Sequence, residues 1–232
     1  MRKFAKWHIW LAWATGIPIL MWTITGLVMV AKPIDEVRGN HLRKEAAAEL
    51  LPAGNPRPID FPVENPARYS EMRTIMQDGR AIWLLTAQDG TVERLPADMA
   101  AEQLAPVDED YVRKTVAETI VGGERIEAIE RFNAEDTPFD FRRPIPSWRA
   151  SLADGTHVYI NAQTGEIAAV RTRWWRIFDF AWGLHIMDLQ TREDTSHPVL
   201  IIFAALAVIG SLLGTILMFR RRKARIKVPK SG

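Results

Sequence analysis

The sequence predicts an α+β membrane protein in which two transmembrane helices flank a domain of β-hairpins and a helix. Three observations predict it. Two long runs carry no charge, one near each end of the chain; basic residues stand on the outer side of both; and a strand–turn–strand pattern occurs twice in the segment between them.

The first run, Trp7 to Ala31, is 25 residues long and follows Arg2, Lys3 and Lys6. The second, Val199 to Phe219, is 21 residues long and precedes Arg220, Arg221, Arg222, Lys223, Arg225, Lys227 and Lys230. At 1.5 Å of rise per residue each run reaches about 30 Å or more, enough to cross a hydrocarbon core. Basic residues favour the cytoplasmic face, so both termini are expected in the cytoplasm and the central segment on the far side of the membrane. The apolar run at the N-terminus exceeds the ~7–15 residues of a signal-peptide core, and no A-x-A site closely follows it. Ala46-Ala47-Ala48 lies well beyond its end. The run therefore reads as an uncleaved anchor.

Charge is segregated. The tails hold ten of the 30 Lys and Arg and no acidic residue, whereas residues 32–198 hold all 28 Asp and Glu against 20 basic residues. A pI near 9.0 thus averages two basic tails with an acidic middle. That distribution argues against a nucleic-acid partner and for the anionic headgroups of a lipid bilayer. The chain has no cysteine. Disulfides, thiolate metal sites, iron–sulfur clusters and covalent haem attachment are excluded with it.

The resulting division is a tail at 1–6, a first transmembrane helix at 7–31, a hairpin-bearing region at 32–172, an interfacial helix and turn at 173–197, a second transmembrane helix at 198–219, and a basic tail at 220–232. Pro18, after Gly16, is expected to kink the first helix. Leu42 to Leu51 is rich in Ala and Glu and predicts a short helix near the membrane. Pro52 to Pro66 carries five prolines, which rules out helix and predicts an extended connector.

Beyond the connector the chain repeats itself. Trp83 to Val92 aligns with Val158 to Ile167, each a strand, a polar turn and a return strand, with Gly90 and Gly165 where the turn needs positive φ. Between them Val112, Val116 and Ile120 recur at i, i+4 spacing, predicting an amphipathic helix over 110–121 that Gly122-Gly123 ends. Arg125 to Phe132 alternates as a strand, and Trp148 to Leu152 opens the second hairpin. The predicted order is hairpin, helix, strand, hairpin.

This order, with the turn Asn161-Ala162-Gln163-Thr164-Gly165-Glu166 after Val158-Tyr159-Ile160, resembles the PepSY domain. The likeness extends to the membrane parts: Trp7-His8 and Thr25-Gly26 in the first helix, Arg173-Trp174-Trp175-Arg176 and Leu184-His185-Ile186-Met187-Asp188 after the domain, and the small-residue stretch Gly210 to Thr215 in the last helix. Together these resemble the PepSY-associated transmembrane family over most of the chain. Some relatives with four membrane helices resemble haem-containing reductases of siderophore-bound iron. Two copies of this two-helix chain would make a similar bundle. The resemblance thus implies a homodimer, or pairing with another membrane redox subunit, and haem b as the candidate cofactor.

The histidines are the reactive groups on offer. His41 lies in a polar segment and is expected at the surface. His157 shares a strand face with Tyr159, opposite the apolar pair Val158 and Ile160, and is expected to face solvent. His8, His185 and His197 stand near the ends of the apolar runs, where an ionisable residue is a functional candidate by default. They are the candidate haem ligands. His8 would pair with its symmetry mate, because the second helix contains no histidine. His185 and His197 are twelve residues apart, about 18 Å on a continuous helix, so they could meet only if the chain turns between them. The polar stretch Gln190 to Thr195, with Ser196 as N-cap ahead of Pro198, supplies such a turn. Trp174 to Leu189 then forms a separate helix whose aromatics suit the headgroup belt. Its plainer role is an amphipathic anchor, with His185 hydrogen-bonded to headgroups or backbone.

Gly210 and Gly214 form a GxxxG pair that permits close helix packing. No G-x-G-x-x-G, G-x-S-x-G or H-E-x-x-H occurs, so hydride transfer from a nicotinamide and hydrolytic chemistry have no footing. Electrons for a redox role would come from quinol or a partner. Glu135-Asp136 and Glu193-Asp194 read as solvated loops, and Arg142-Arg143 as surface ion pairs or an anion contact. The competing function is non-enzymatic: a membrane-anchored module whose PepSY region binds or regulates a periplasmic partner such as a protease.

Overall fold

The computed structural model describes residues 2–45, 49–54, 56, 58, 68–98 and 104–225. Pro62, Pro66, Ala46 to Ala48 and the end of the basic tail fall outside them. The elements are α1 (Arg2–Val30), α2 (Ile34–Val37), a 3-10 turn (Asn40–Leu42), β1 (Tyr69–Gln77), β2 (Arg80–Ala87), β3 (Val92–Pro96), α3 (Glu109–Thr119), β4 (Ile126–Phe132), β5 (Ser147–Leu152), β6 (His157–Asn161), β7 (Ile167–Arg171), α4 (Arg173–His185) and α5 (Pro198–Arg225). They form two compact units, Met1–Pro33 with Arg176–Gly232, and Ile34–Trp175.

The first unit is the membrane unit. Its helices contain apolar spans, Lys3–Val30 and Pro198–Arg220, that are long enough to cross a bilayer. α1 runs through Pro18, although the proline ring removes the donor that the carbonyl four residues earlier would use. The two helices pack antiparallel: Leu11 faces Gly210 and His8 faces Gly214, while Thr15 and Ile19 line a small cavity with Ala207.

The second unit holds two antiparallel sheets, ordered β1-β2-β3 and β4-β5-β6-β7. Asp108 starts α3 by accepting a hydrogen bond from Tyr111 N–H at 2.9 Å, one of the four donors a helix start leaves open. α3 then lays Tyr111, Val112 and Val116 on Ala150, Leu152, Val158, Ile160 and Val170 of the four-stranded sheet. Gly122 (φ +76) turns the chain after the helix. A side chain at Gly123 would put its Cβ 2.0 Å from Val116 O, so only glycine fits there.

Several sequence expectations are corrected. The hairpin at Trp83–Val92 is part of a three-stranded sheet, because β1 precedes it through a turn at Asp78 (φ +52) and Gly79 (φ +72). Among the described residues of 42–51 no α-helix occurs: Leu42 ends the 3-10 turn, and Arg43 is extended and bridges Ile120. The helix over 110–121 is Glu109–Thr119, and Ile120 leaves it in an extended conformation.

The expected exposure of the Tyr159 face is also overturned. Residues 133–146 cross that face, and Phe141, Tyr159 and Ala169 form a second buried cluster with Ile145 and Ala168. Phe141 stacks on Tyr159 with ring centroids 4.5 Å apart. Asp140 pins the crossing: its carboxylate accepts from Tyr159 OH at 2.5 Å and lies 2.8 Å from His157 Nδ1, while its backbone carbonyl accepts from Arg171 Nε at 2.8 Å. His157 is consequently only 23% exposed. Burial first, and the Asp140 hydrogen bond second, push the Tyr159 hydroxyl pKa well above its usual value. Both faces of β6 are thus covered, one by α3 and the other by the 133–146 strap.

Phe141→Ala removes the ring that seals this second cluster. It is expected to destabilise the chain by about 3 kcal/mol or more, read as a lower denaturation midpoint. Near-UV circular dichroism of Tyr159 should weaken in parallel.

Candidate functional site

Helix ends position the candidate side chains. α4 lays Ala181 and Gly183 inside the membrane unit while Ile177 and Phe180 stay exposed. It stops sharply after His185. Asp188 N–H donates to Gly183 O at 3.0 Å and Met187 N–H to Leu184 O at 3.1 Å, with Met187 at φ +57. This is a Schellman closure, and it places a methionine in the left-handed position that glycine usually takes. His185 is therefore the last residue of the helix, oriented by a backbone that cannot continue.

The turn that follows is built on one carboxylate. Asp188 accepts from the N–H groups of Gln190, Thr191, Glu193 and Asp194 at 3.0–3.2 Å and from the Thr191 hydroxyl. That hydroxyl and the backbone donors hold the Asp188 pKa well below the usual carboxylate range, although burial pushes the other way. Arg192 reaches back from the turn to a buried ion pair with Asp179 of α4. Trp182 Nε1 donates to Arg192 O at 3.0 Å. A Cβ at Gly183 would lie 2.8 Å from the Arg192 side chain, so the small residue is what lets the turn fold against the helix. α5 then begins at Pro198. Its cap is His197, whose carbonyl accepts from Ile201 N–H at 3.2 Å; Ser196, expected in that role, instead donates its N–H to Asp194 at 2.8 Å.

His185 meets α1. Its Nδ1 lies 2.9 Å from Thr25 Oγ1, its carbonyl accepts from Trp22 Nε1 at 2.8 Å, and its Cε1 faces Gly26. His8, near the other end of α1, donates from Nδ1 to Gly210 O at 3.1 Å. A Cβ at Gly214 would sit 2.8 Å from His8 Cε1. The GxxxG pair thus receives a histidine ring from α1 of the same chain. His197 keeps a buried Nδ1 with no hydrogen-bond partner among the described residues. No described hydrogen bond joins His185 to His197. His41 is exposed, and His157 belongs to the Asp140 cluster of the other unit.

Sequence reasoning singled out the histidines but gave no role to Thr25, Trp22, Asp179, Asp188 or Arg192. A signal for the turn was present: an Asp followed by a Thr- and Asp-rich run reads as a side chain folding its own backbone.

These residues fit haem in donor chemistry. Two imidazoles are each fixed through Nδ1, as ligating histidines commonly are, and a third carries an orphaned buried nitrogen. The space between α1 and α5 at His8 is only 140 Å3, below the roughly 300 Å3 of small ligand sites. A larger groove of 480 Å3 runs along α1 beside His8, Ala12, Trp13 and Gly16.

In the sheet unit, a cleft of 680 Å3 lies against α3 and the 161–167 turn, lined by Lys44, Asp78, Lys114, Glu118 and Glu166 among others. Much of its charge is answered internally: Lys114 pairs with Asp78 at 3.1 Å, Glu166 with Arg73 at 2.5 Å, and Lys44 donates to Ala117 O at 2.6 Å.

A family model described as the PepSY-associated TM region matches residues 5–232. The chain belongs to that family. The match takes in both membrane helices and the sheet unit, so the two anchored histidines stand on the part of the chain that the family defines. No curated protein and no solved structure matches the chain. It is a membrane-anchored PepSY protein of α+β class.

Gly214→Val forces the His8 ring off the glycine and is expected to cost about 1–3 kcal/mol in α1–α5 packing, measured by thermal unfolding in detergent. Gly16→Ala, whose Cβ meets nothing within 4 Å, should leave that midpoint unchanged. Because the Asp188 pKa is depressed, its contribution is complete above the ordinary carboxylate value of about 4 and is lost as pH falls through the depressed one. Amide exchange should find Thr191, Glu193 and Asp194 protected from pH 5 to 8, and unprotected at every pH in Asp188→Ala.

Proposed function

We propose that this chain is a haem-b-binding electron-transfer component of the bacterial inner membrane, with both termini cytoplasmic, that passes electrons toward siderophore-bound iron in the periplasm. One observation carries the reading: two histidines stand near opposite ends of α1, each held through Nδ1. His8 and the Thr25 that meets His185 are 17 residues apart, about 25 Å along the helix. That separation suits two redox centres stacked across a bilayer.

When bound, haem supplies one-electron chemistry. The protein residues do the rest. His8 and His185 present Nε2 from rings whose other nitrogen is engaged, and His197 adds an imidazole at the start of α5. Asp188, Asp179 and Arg192 hold the turn that ends α4 at His185. Bis-histidine ligation at the His8 level needs a second chain, because the other described histidines lie elsewhere, and a homodimer or another membrane redox subunit would supply it. Electrons enter from quinol or that partner, since the chain has no nicotinamide or flavin fingerprint.

Protein purified from haem-replete cells should show a Soret band that weakens in His185→Ala and His8→Ala. In His157→Ala, whose ring is held by Asp140 in the other unit, the band should be unchanged. A colourless wild-type protein under the same conditions would overturn the proposal and leave the PepSY region as a binding module for a periplasmic partner.

A further inference from the structure

We propose that Thr25 is a positioning residue for His185, fixing its ring in the Nδ1–H tautomer so that Nε2 is its only lone pair. Thr25 Oγ1 stands 2.8 Å from Met21 O and 3.2 Å from Trp22 O, the positions a helical threonine reaches by donating back along its own helix. A hydroxyl has one proton and two lone pairs. Donated to Met21 O, that proton leaves Oγ1 an acceptor toward His185 Nδ1, 2.9 Å away. The Nδ1–H tautomer then makes two hydrogen bonds at this junction.

The opposite tautomer makes fewer. Thr25 would give its proton to Nδ1, the bond to Met21 O would be lost, and an N–H would appear at Nε2, which has no hydrogen-bond partner among the described residues. That arrangement keeps one hydrogen bond at the junction where the Nδ1–H tautomer keeps two. Trp22 reinforces the geometry by holding the His185 carbonyl at 2.8 Å, so the ring meets Thr25 from a fixed helix end. His8 obeys the same logic more simply. Its Nδ1 faces a carbonyl, Gly210 O, which can only accept. His8 and His185 therefore each hold a proton on Nδ1 and present a bare Nε2.

The tautomer follows from the hydrogen bonds alone; only the identity of what meets Nε2, haem iron, rests on the functional reading above. The test uses full-length protein in nanodiscs with 15N-labelled histidine, free of haem. Long-range proton–nitrogen spectra should show His185 protonated at Nδ1 and unprotonated at Nε2. Thr25→Ser should keep that pattern. Thr25→Val should move His185 toward the Nε2–H tautomer while His8 keeps its signals, which also certifies the fold. Titration with ferric protoporphyrin IX should then show affinity reduced about 10–100-fold in Thr25→Val, as loss of an outer-shell partner typically does, and restored in Thr25→Ser.

An Nε2–H tautomer in the wild type, or an unchanged tautomer in Thr25→Val, overturns the positioning role, whether or not haem binds. A Thr25-dependent tautomer in a protein that takes up no porphyrin supports the positioning role and removes the haem reading. If Thr25→Val fails to fold, the wild-type and Thr25→Ser spectra still decide.

Discussion

Hydrocarbon offers no hydrogen bonds, so each polar group on a membrane helix has to be answered by protein. α1 meets that demand in two ways. Thr15 and Thr23 donate to carbonyls four residues back in their own helix, a local solution that asks nothing of the rest of the chain. His8 and Trp22 have no such option. Their donors reach Gly210 O on α5 and His185 O at the end of α4, and Thr25 meets the His185 ring. These bonds fix which helices meet and at what level, and the glycines follow from them. Gly214 leaves room for a ring, and Gly183 leaves room for the turn.

The same economy governs the end of α4. An aspartate with five donors converts a polar, charge-rich stretch into a defined turn, and the buried Asp179–Arg192 pair ties that turn to the helix it follows. A buried ion pair contributes little net stability but is costly to break on one side. Its effect here is geometric: it fixes the turn on the helix that carries His185.

The membrane helices and the hairpin turns were legible in the sequence because each is specified locally. A charge-free run of 25 residues has few other uses, and Gly90 and Gly165 adopt the positive φ that their turns require. What escaped depends on tertiary cover. Alternation along β6 correctly separates Val158 and Ile160 from Tyr159, but only the 133–146 strap buries the second face, and nothing in β6 announces it. β1 was missed although Asp78-Gly79 is a strong hairpin turn, because Tyr69 to Gln77 alternates weakly and buries none of its residues fully. At the candidate site the histidines stood out by residue type. Their partners did not, since a threonine in an apolar helix looks the same whether it bonds to its own backbone or serves a ring 160 residues away.

The bond between His8 and Gly210 joins residues 202 positions apart, and this sets a timetable for assembly. At about 5–20 residues per second of synthesis, α5 emerges some 10–40 s after the ring it will receive. Throughout that interval α1 carries a histidine whose partner does not yet exist. The nascent chain must therefore shelter that nitrogen at the headgroup boundary or against the insertion machinery until the last helix arrives. Completion of the membrane unit is a late event in the biogenesis of this protein, and the sheet unit has been fully synthesised before it begins.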